Sequence, residues 1–170
     1  MGEDGKGGRI VVGVDDSPGG RAALAYALRE GKLRGARVEV LGAFARPEFW
    51  AGQAIPGWSM GPSMEEIREG VKAHVDRVVA EVREEVGDDA LGVTVLAHAV
   101  AGNAAAALLD SARHADLLVV GNRGRGGFSA MMLGSVSLQC VLHAPCPVTV
   151  VPAAPVGAAH QVPAQASAAG

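Results

Sequence analysis

Between Gly121 and Ser135 the chain reads GNRGRGGFSAMMLGS, in which five of fifteen residues are glycine and two are arginine. The spacing is Gly121-x2-Gly124-x9-Gly134-Ser135. Glycine lets backbone N–H groups approach an anion closely and adopt positive φ. An apolar run, LLVV, precedes the stretch, and a helix-forming segment, VSLQCVLH, follows it. The stretch therefore ends at a helix N-terminus, where unpaired N–H groups and the helix dipole favour negative charge. Ser135 adds a hydroxyl donor. Arg123 and Arg125 either add positive charge or are solvated loop residues. These are the parts of a polyphosphate site. Each hydrogen bond to a charged phosphate contributes roughly 1.5–3 kcal/mol, so a few of them reach micromolar affinity after association costs.

A second group, Val14-Asp15-Asp16-Ser17, closes the first apolar run. Asp15 reads either as a ligand-facing acid or as a cap for the helix that follows. Neither group is a P-loop: G-x-x-x-x-G-K-[ST] is absent, and no lysine follows Lys72. G-x-G-x-x-G does not follow the first strand, so a nicotinamide-type fingerprint is absent as well. An ATP-pyrophosphatase-type enzyme would carry S-G-G-x-D-S there. Here Ser17-Pro18-Gly19-Gly20-Arg21-Ala22 has an inserted proline and lacks the aspartate. The five histidines (74, 98, 114, 143 and 160) show no zinc-ligand spacing. His98 falls in a strand and reads as a hydrogen-bonded core residue. Cys140 and Cys146 read as two buried thiols.

Five apolar runs of strand length must position these groups: 10–14, 38–44, 93–100, 117–120 and 148–151. Helical patterns separate them. Ser17 is a good N-cap with Pro18 at the first helical position, and Leu24 and Leu28 share a face. Ser63 and Glu66 form a capping box. Ile67, Val71, Val75, Val78 and Val82 then make one apolar stripe, and Gly87 can end the helix in a left-handed cap. A third helix starts near Asn103, and a fourth runs from Gly134 to before Pro145. The order βα-βα-βα-βα-β, with strands apolar enough to be buried on both faces, implies an α/β fold with a parallel sheet and helices on both sides. Ligands then sit beyond the carboxyl ends of the strands, where the strand order reverses. The long connection 45–62 carries Phe49, Trp50 and Trp58, which read as a loop-packing cluster.

These pieces, in order, resemble the universal stress protein family in its ATP-binding branch. The resemblance runs from about Arg9 to Pro152, through VGVDDSPGGRAALAYA, VAGNAAAALL, ADLLVVGNRGRGGFSAMMLGSVS and HAPCPVTVV. It implies an open five-stranded parallel sheet of order 3-2-1-4-5, Rossmann-like and similar to the adenine nucleotide alpha hydrolases. It implies that Gly121, Gly124, Gly134, Ser135 and Val136 hold ribose and phosphates. It places Asp15 at the adenosine end and adenine around Val14 and Ala43. The implied ligand is ATP or AMP with Mg2+, and the implied assembly is a homodimer through Val148–Val151. Asn122 stands where Ser or Thr is frequent, and Asp16 where Gly is frequent. No catalytic lysine or second acid accompanies the loop, so the expected role is a nucleotide-dependent stress-response module, not an enzyme. The alternatives are a nucleotide-free dimeric interaction protein and a slow ATPase.

The remaining bounds are compositional. At 170 residues, 49% hydrophobic and 19% charged, the chain is globular. Residues 9–152 read as one domain, with 1–8 and 153–170 as unstructured flanks. A net charge of −3 argues against a broad nucleic-acid-binding face. No apolar run is long enough to span a bilayer, and the polar MGEDGKGG has no signal-peptide core, so the expected location is cytoplasmic.

Overall fold

The computed structural model describes residues 7–45, 62–124 and 133–153. The aromatics Phe49, Trp50 and Trp58, Arg125, and the flanks 1–6 and 154–170 lie outside them. Five strands, β1 (Arg9–Gly13), β2 (Arg37–Phe44), β3 (Val95–Ala101), β4 (Leu117–Gly121) and β5 (Val148–Val151), form one parallel sheet in the order β3-β2-β1-β4-β5. Four α-helices, α1 (Pro18–Arg34), α2 (Met64–Val86), α3 (Ala104–Ser111) and α4 (Ser135–His143), connect them. The Gly8 carbonyl accepts from Arg37 N at 2.9 Å, and Ala153 N donates to Asn122 Oδ1 at 3.2 Å. Among the described residues no helix is long and apolar enough to cross a membrane.

The core has two layers, because alternate strand residues point to opposite faces. Ile10, Val12, Val38, Val40 and Val119 pack under α1 and α2, with Leu24, Leu28, Val75, Val78 and Val82. Val11, Leu41, Leu118 and Val120 pack under α3 and α4, with Leu108 and Cys140. The expected α2 stripe is thus the buried face of that helix. Its capping box is made in full, with Ser63 N donating to Glu66 Oε2 at 2.7 Å and Glu66 N to Ser63 Oγ at 3.2 Å. Gly87 has φ 63° but ψ −133°, so it ends α2 in a glycine-only conformation outside the left-handed helical well. Burial pushes the Cys140 thiol up to about 11 and raises that of the half-buried Cys146, so both are poor nucleophiles.

Burial on both faces holds for β1 and β4 but not for β3. There Val95 and Ala97 pack inward, while Leu96 and His98 are exposed. β3 is an edge strand, and α3 packs mainly on β1 and β2. His98 is therefore a surface residue and not the expected core one.

One buried acid breaks the apolar pattern. Glu39, opposite Val11 in the register, accepts from Arg9 Nε at 2.7 Å and Arg9 Nη2 at 2.5 Å, with Arg37 Nε at 3.2 Å. Arg9 Nη1 also donates to the Ser111 carbonyl at 3.0 Å, which ties the end of α3 to the sheet. The Arg9 hydrogen bonds hold the Glu39 carboxyl below its usual range. A folded-state value below the unfolded one contributes stability above the unfolded pKa, about 4.3 for Glu. That contribution is lost as pH falls through the folded value. The melting temperature should therefore drop as pH falls below about 4. In Arg9→Ala, denaturant titration at pH 7 should show a loss of about 3 kcal/mol, the scale for removing one partner of a buried pair. An unchanged midpoint would show that the pair is inert.

Candidate functional site

The strand order reverses between β1 and β4, and a cavity of about 540 Å³ opens beyond their carboxyl ends. That lies within the 300–1,000 Å³ common for small-molecule sites. The nine described residues that the sequence marks for nucleotide binding all line it: Val14, Asp15, Ala43, Gly121, Arg123, Gly124, Gly134, Ser135 and Val136. The wall that the sequence reading missed is α3, through Ala104, Ala107 and Leu108, together with Leu41 and Ser137. Alanines carry no chemistry to flag them. The only available signal was a run of small residues directly after a strand end.

The turn from β1 into α1 is built around Asp15. Its Oδ1 accepts from Ser17 N at 3.1 Å and Ser17 Oγ at 2.5 Å. Ser17 Oγ in turn accepts from Gly20 N at 3.0 Å, so Ser17 is the N-cap and Asp15 orients it. Asp16 has φ 60°, the one non-glycine with positive φ among the described residues. Aspartate tolerates that conformation better than most residues, which is how it can stand where glycine is frequent. Val14 N donates to the Leu41 carbonyl at 3.0 Å. Its amide is thus committed to the protein.

The three glycines have different reasons. A Cβ on Gly121 would come within 2.5 Å of the Gly19 carbonyl carbon, so β4 exits against bare backbone at the start of α1. A Cβ on Gly124 would come within 2.5 Å of Asp15 Oδ2. The carboxylate therefore lies against the glycine loop itself and not only at the far end of the cavity. Gly134 is unlike both. Its φ is −69°, and among the described residues a Cβ there would meet nothing closer than 3.6 Å. The described residues leave room for a side chain at Gly134, on the cavity wall.

Asn122 holds the loop in place. Its N–H donates to the Val151 carbonyl at 2.8 Å, and its carbonyl accepts from Gly134 N at 2.8 Å. Ser137 Oγ donates to the Gly121 carbonyl at 2.5 Å. The result is a helix start aimed at the cavity. Side chains cap α1 (Ser17), α2 (Ser63) and α3 (Asn103), but α4 begins at Gly134 with no side-chain cap and no acid in its first turn. Such an end attracts an anion. Arg123, exposed at the rim, adds a cation. Among the described residues, no three His, Cys, Asp or Glu side chains could hold a metal ion.

Fold and cavity together define a doubly wound α/β domain with its site at the switch point. The model of the universal stress protein family matches residues 7–152, and the chain belongs to that family. A Mycolicibacterium smegmatis universal stress protein is 30% identical over 145 residues, covering 84% of this chain and 47% of that protein. One from Thermus aquaticus is 32% identical over 147 residues, covering 84% and 96%. The chain thus spans about half the length of the mycobacterial relatives it matches and nearly all of the Thermus one. Among solved structures, UspA from Lactobacillus plantarum has a TM-score of 0.64 at 21% identity, with 87% and 99% of the two chains covered. A universal stress protein in complex with cAMP has a TM-score of 0.59 at 22% identity, covering 86% and 98%. One from Archaeoglobus fulgidus in complex with dAMP has a TM-score of 0.54 at 22% identity, covering 84% and 96%. At these identities the structural likeness concerns the fold.

The glycines can be separated by substitution. Gly121→Ala forces a Cβ into Gly19 backbone and should cost about 3 kcal/mol, the upper range for overpacking. Gly134→Ala should cost about 1 kcal/mol or less, the scale of an N-cap change. Urea titration of the two variants checks the order, and equal losses would contradict it.

Proposed function

We propose that the cavity binds an adenine nucleotide, ATP or AMP, and that occupancy regulates the protein. The observation that carries this is the convergence of the uncapped α4 N-terminus, Ser135, Arg123 and the glycine loop on one wall of a cavity of nucleotide size. The cAMP and dAMP complexes of two structural relatives support the ligand class. The phosphates lie along Gly121, Gly124, Gly134, Ser135 and Val136, and the nucleoside lies toward Val14 and Ala43.

Magnesium fits the donors present. Mg2+ takes oxygen ligands, commonly one or two carboxylates with substrate phosphates. The cavity offers the Asp15 carboxylate and the Ser135 hydroxyl. When bound, the ion would neutralise phosphate charge beside Asp15.

The site holds phosphate charge without a lysine on its described walls, and Asp15, the one carboxylate on those walls, is engaged through Oδ1 by Ser17. Phosphoryl transfer needs both positioning and charge neutralisation between β and γ phosphates. The reading is therefore a sensor and not an enzyme. It acts as a homodimer through β5, which among the described residues pairs only with β4. An unprotected edge invites pairing. Beside it, α4 exposes Leu138 (38%), Val141 (46%) and Leu142 (62%).

Three measurements test this. By calorimetry, ATP should bind in the micromolar range, and Gly134→Ala should lose at least tenfold while its melting temperature falls by no more than about 4 °C. Chelation of magnesium should weaken ATP and leave AMP unchanged. Absence of nucleotide binding by wild type would overturn the reading. In single-turnover assays, hydrolysis should stay below about one per second, the low edge of the enzyme range. Faster turnover would expose a catalytic group. Light scattering should give a dimer at micromolar protein, and Leu142→Arg should shift it to monomer.

A further inference from the structure

The cavity has two chemically distinct sides. Its polar side chains, Asp15, Arg123, Ser135 and Ser137, belong to the β1 turn, the β4 exit and the start of α4. The opposite side is Leu41 and Ala43 from β2, with Ala104, Ala107 and Leu108 from α3. α3 packs over β1 and β2, whereas α4 packs over β4 and β5. Leu108 is buried and seated on Gly13, where a Cβ would come within 2.8 Å of its Cδ1. Ala104 and Ala107 stay partly exposed, one turn apart, and both line the cavity.

This wall is fixed at both ends. Gly102 N donates to the Phe44 carbonyl at 2.8 Å just before its start, and Arg9 Nη1 donates to the Ser111 carbonyl at 3.0 Å at its finish. It cannot retreat to admit a larger side chain, so the size of residue 107 sets the width of the apolar side. An apolar slot of this kind takes a planar ring, and it offers nothing to a phosphate chain.

We propose that Ala107 is a specificity-determining residue: it keeps open the slot for the base, and so selects nucleotides over base-free polyphosphates. The inference rests on the nucleotide reading above. It requires that enlarging residue 107 weaken AMP and ATP by the same factor, because both carry the same base.

The test is calorimetry of wild type, Ala107→Leu, Ala107→Val and Ala107→Ser with AMP, ATP and inorganic tripolyphosphate, with melting curves for each variant. Ala107→Leu should lose at least tenfold for both nucleotides and keep the wild-type response to tripolyphosphate. Ala107→Val should lose less, and Ala107→Ser, nearly the same size, should stay within about threefold of wild type. If Ala107→Leu fails to fold, the valine and serine variants carry the comparison. Unchanged nucleotide affinity in the larger variants, or a loss confined to ATP, overturns the role of Ala107 and leaves nucleotide binding standing. Failure of wild type to bind AMP or ATP overturns both.

Discussion

The site depends on one contact between two pieces of backbone. Gly121 at the end of β4 lies against Gly19 at the start of α1, and a Cβ on Gly19 would come within 2.5 Å of the Arg123 carbonyl oxygen. No side chain fits between them. In a doubly wound sheet, the helices that follow the two strands at the switch point leave on opposite faces, and a crevice opens between them. Here the first turn of α1 closes that crevice on its own face. Among the described residues, the cavity extends toward α3 and α4. The same contact brings the β1 turn against the loop after β4, which is why the Asp15 carboxylate rests on Gly124.

Capping divides the labour among the helices. An N-terminus leaves its first N–H groups without helical partners. Ser17, Ser63 and Asn103 satisfy part of that need in three helices. Each such cap stabilises by about 1 kcal/mol. α4 forgoes this at Gly134, and its first turn instead faces the cavity. The stability forgone is small, and Asn122 and Ser137 recover part of it by bonding the Gly134 amide and the Gly121 carbonyl. A bound anion would complete the set.

Much of this was legible in the residues. The five apolar runs, the Ser63–Glu66 box and the α2 stripe became the elements they foretold, because each is a local signal that tertiary packing reinforces. The residues marked from the glycine spacing and the Val14–Asp15 pair came together, because both occupy strand ends at the switch point. What was not legible depends on neighbours. His98 looks like a core residue in a run of β-branched and small apolar residues, and only its edge position exposes it. Gly121 and Gly134 read alike as letters, yet one is required by α1 and the other by none of the described residues. The alanines of α3 carry no chemical signature, so a wall of the cavity stayed silent.

That silent wall explains the buried charge at the other end of the sheet. α3 has eight residues, and only Ala105 and Leu108 are buried within it. A helix so short is unstable by itself. Two such side chains supply only a few kcal/mol of apolar burial. A bulkier helix would bury more, but it would fill the cavity. Arg9 supplies an anchor from outside the cavity instead, reaching the Ser111 carbonyl while Glu39 fixes its guanidinium with two hydrogen bonds. A buried Arg–Glu pair is a weak source of stability but a strict source of position. Position is what the wall needs: its small residues leave the space, and the ion pair at the far end of the helix keeps that space where it is.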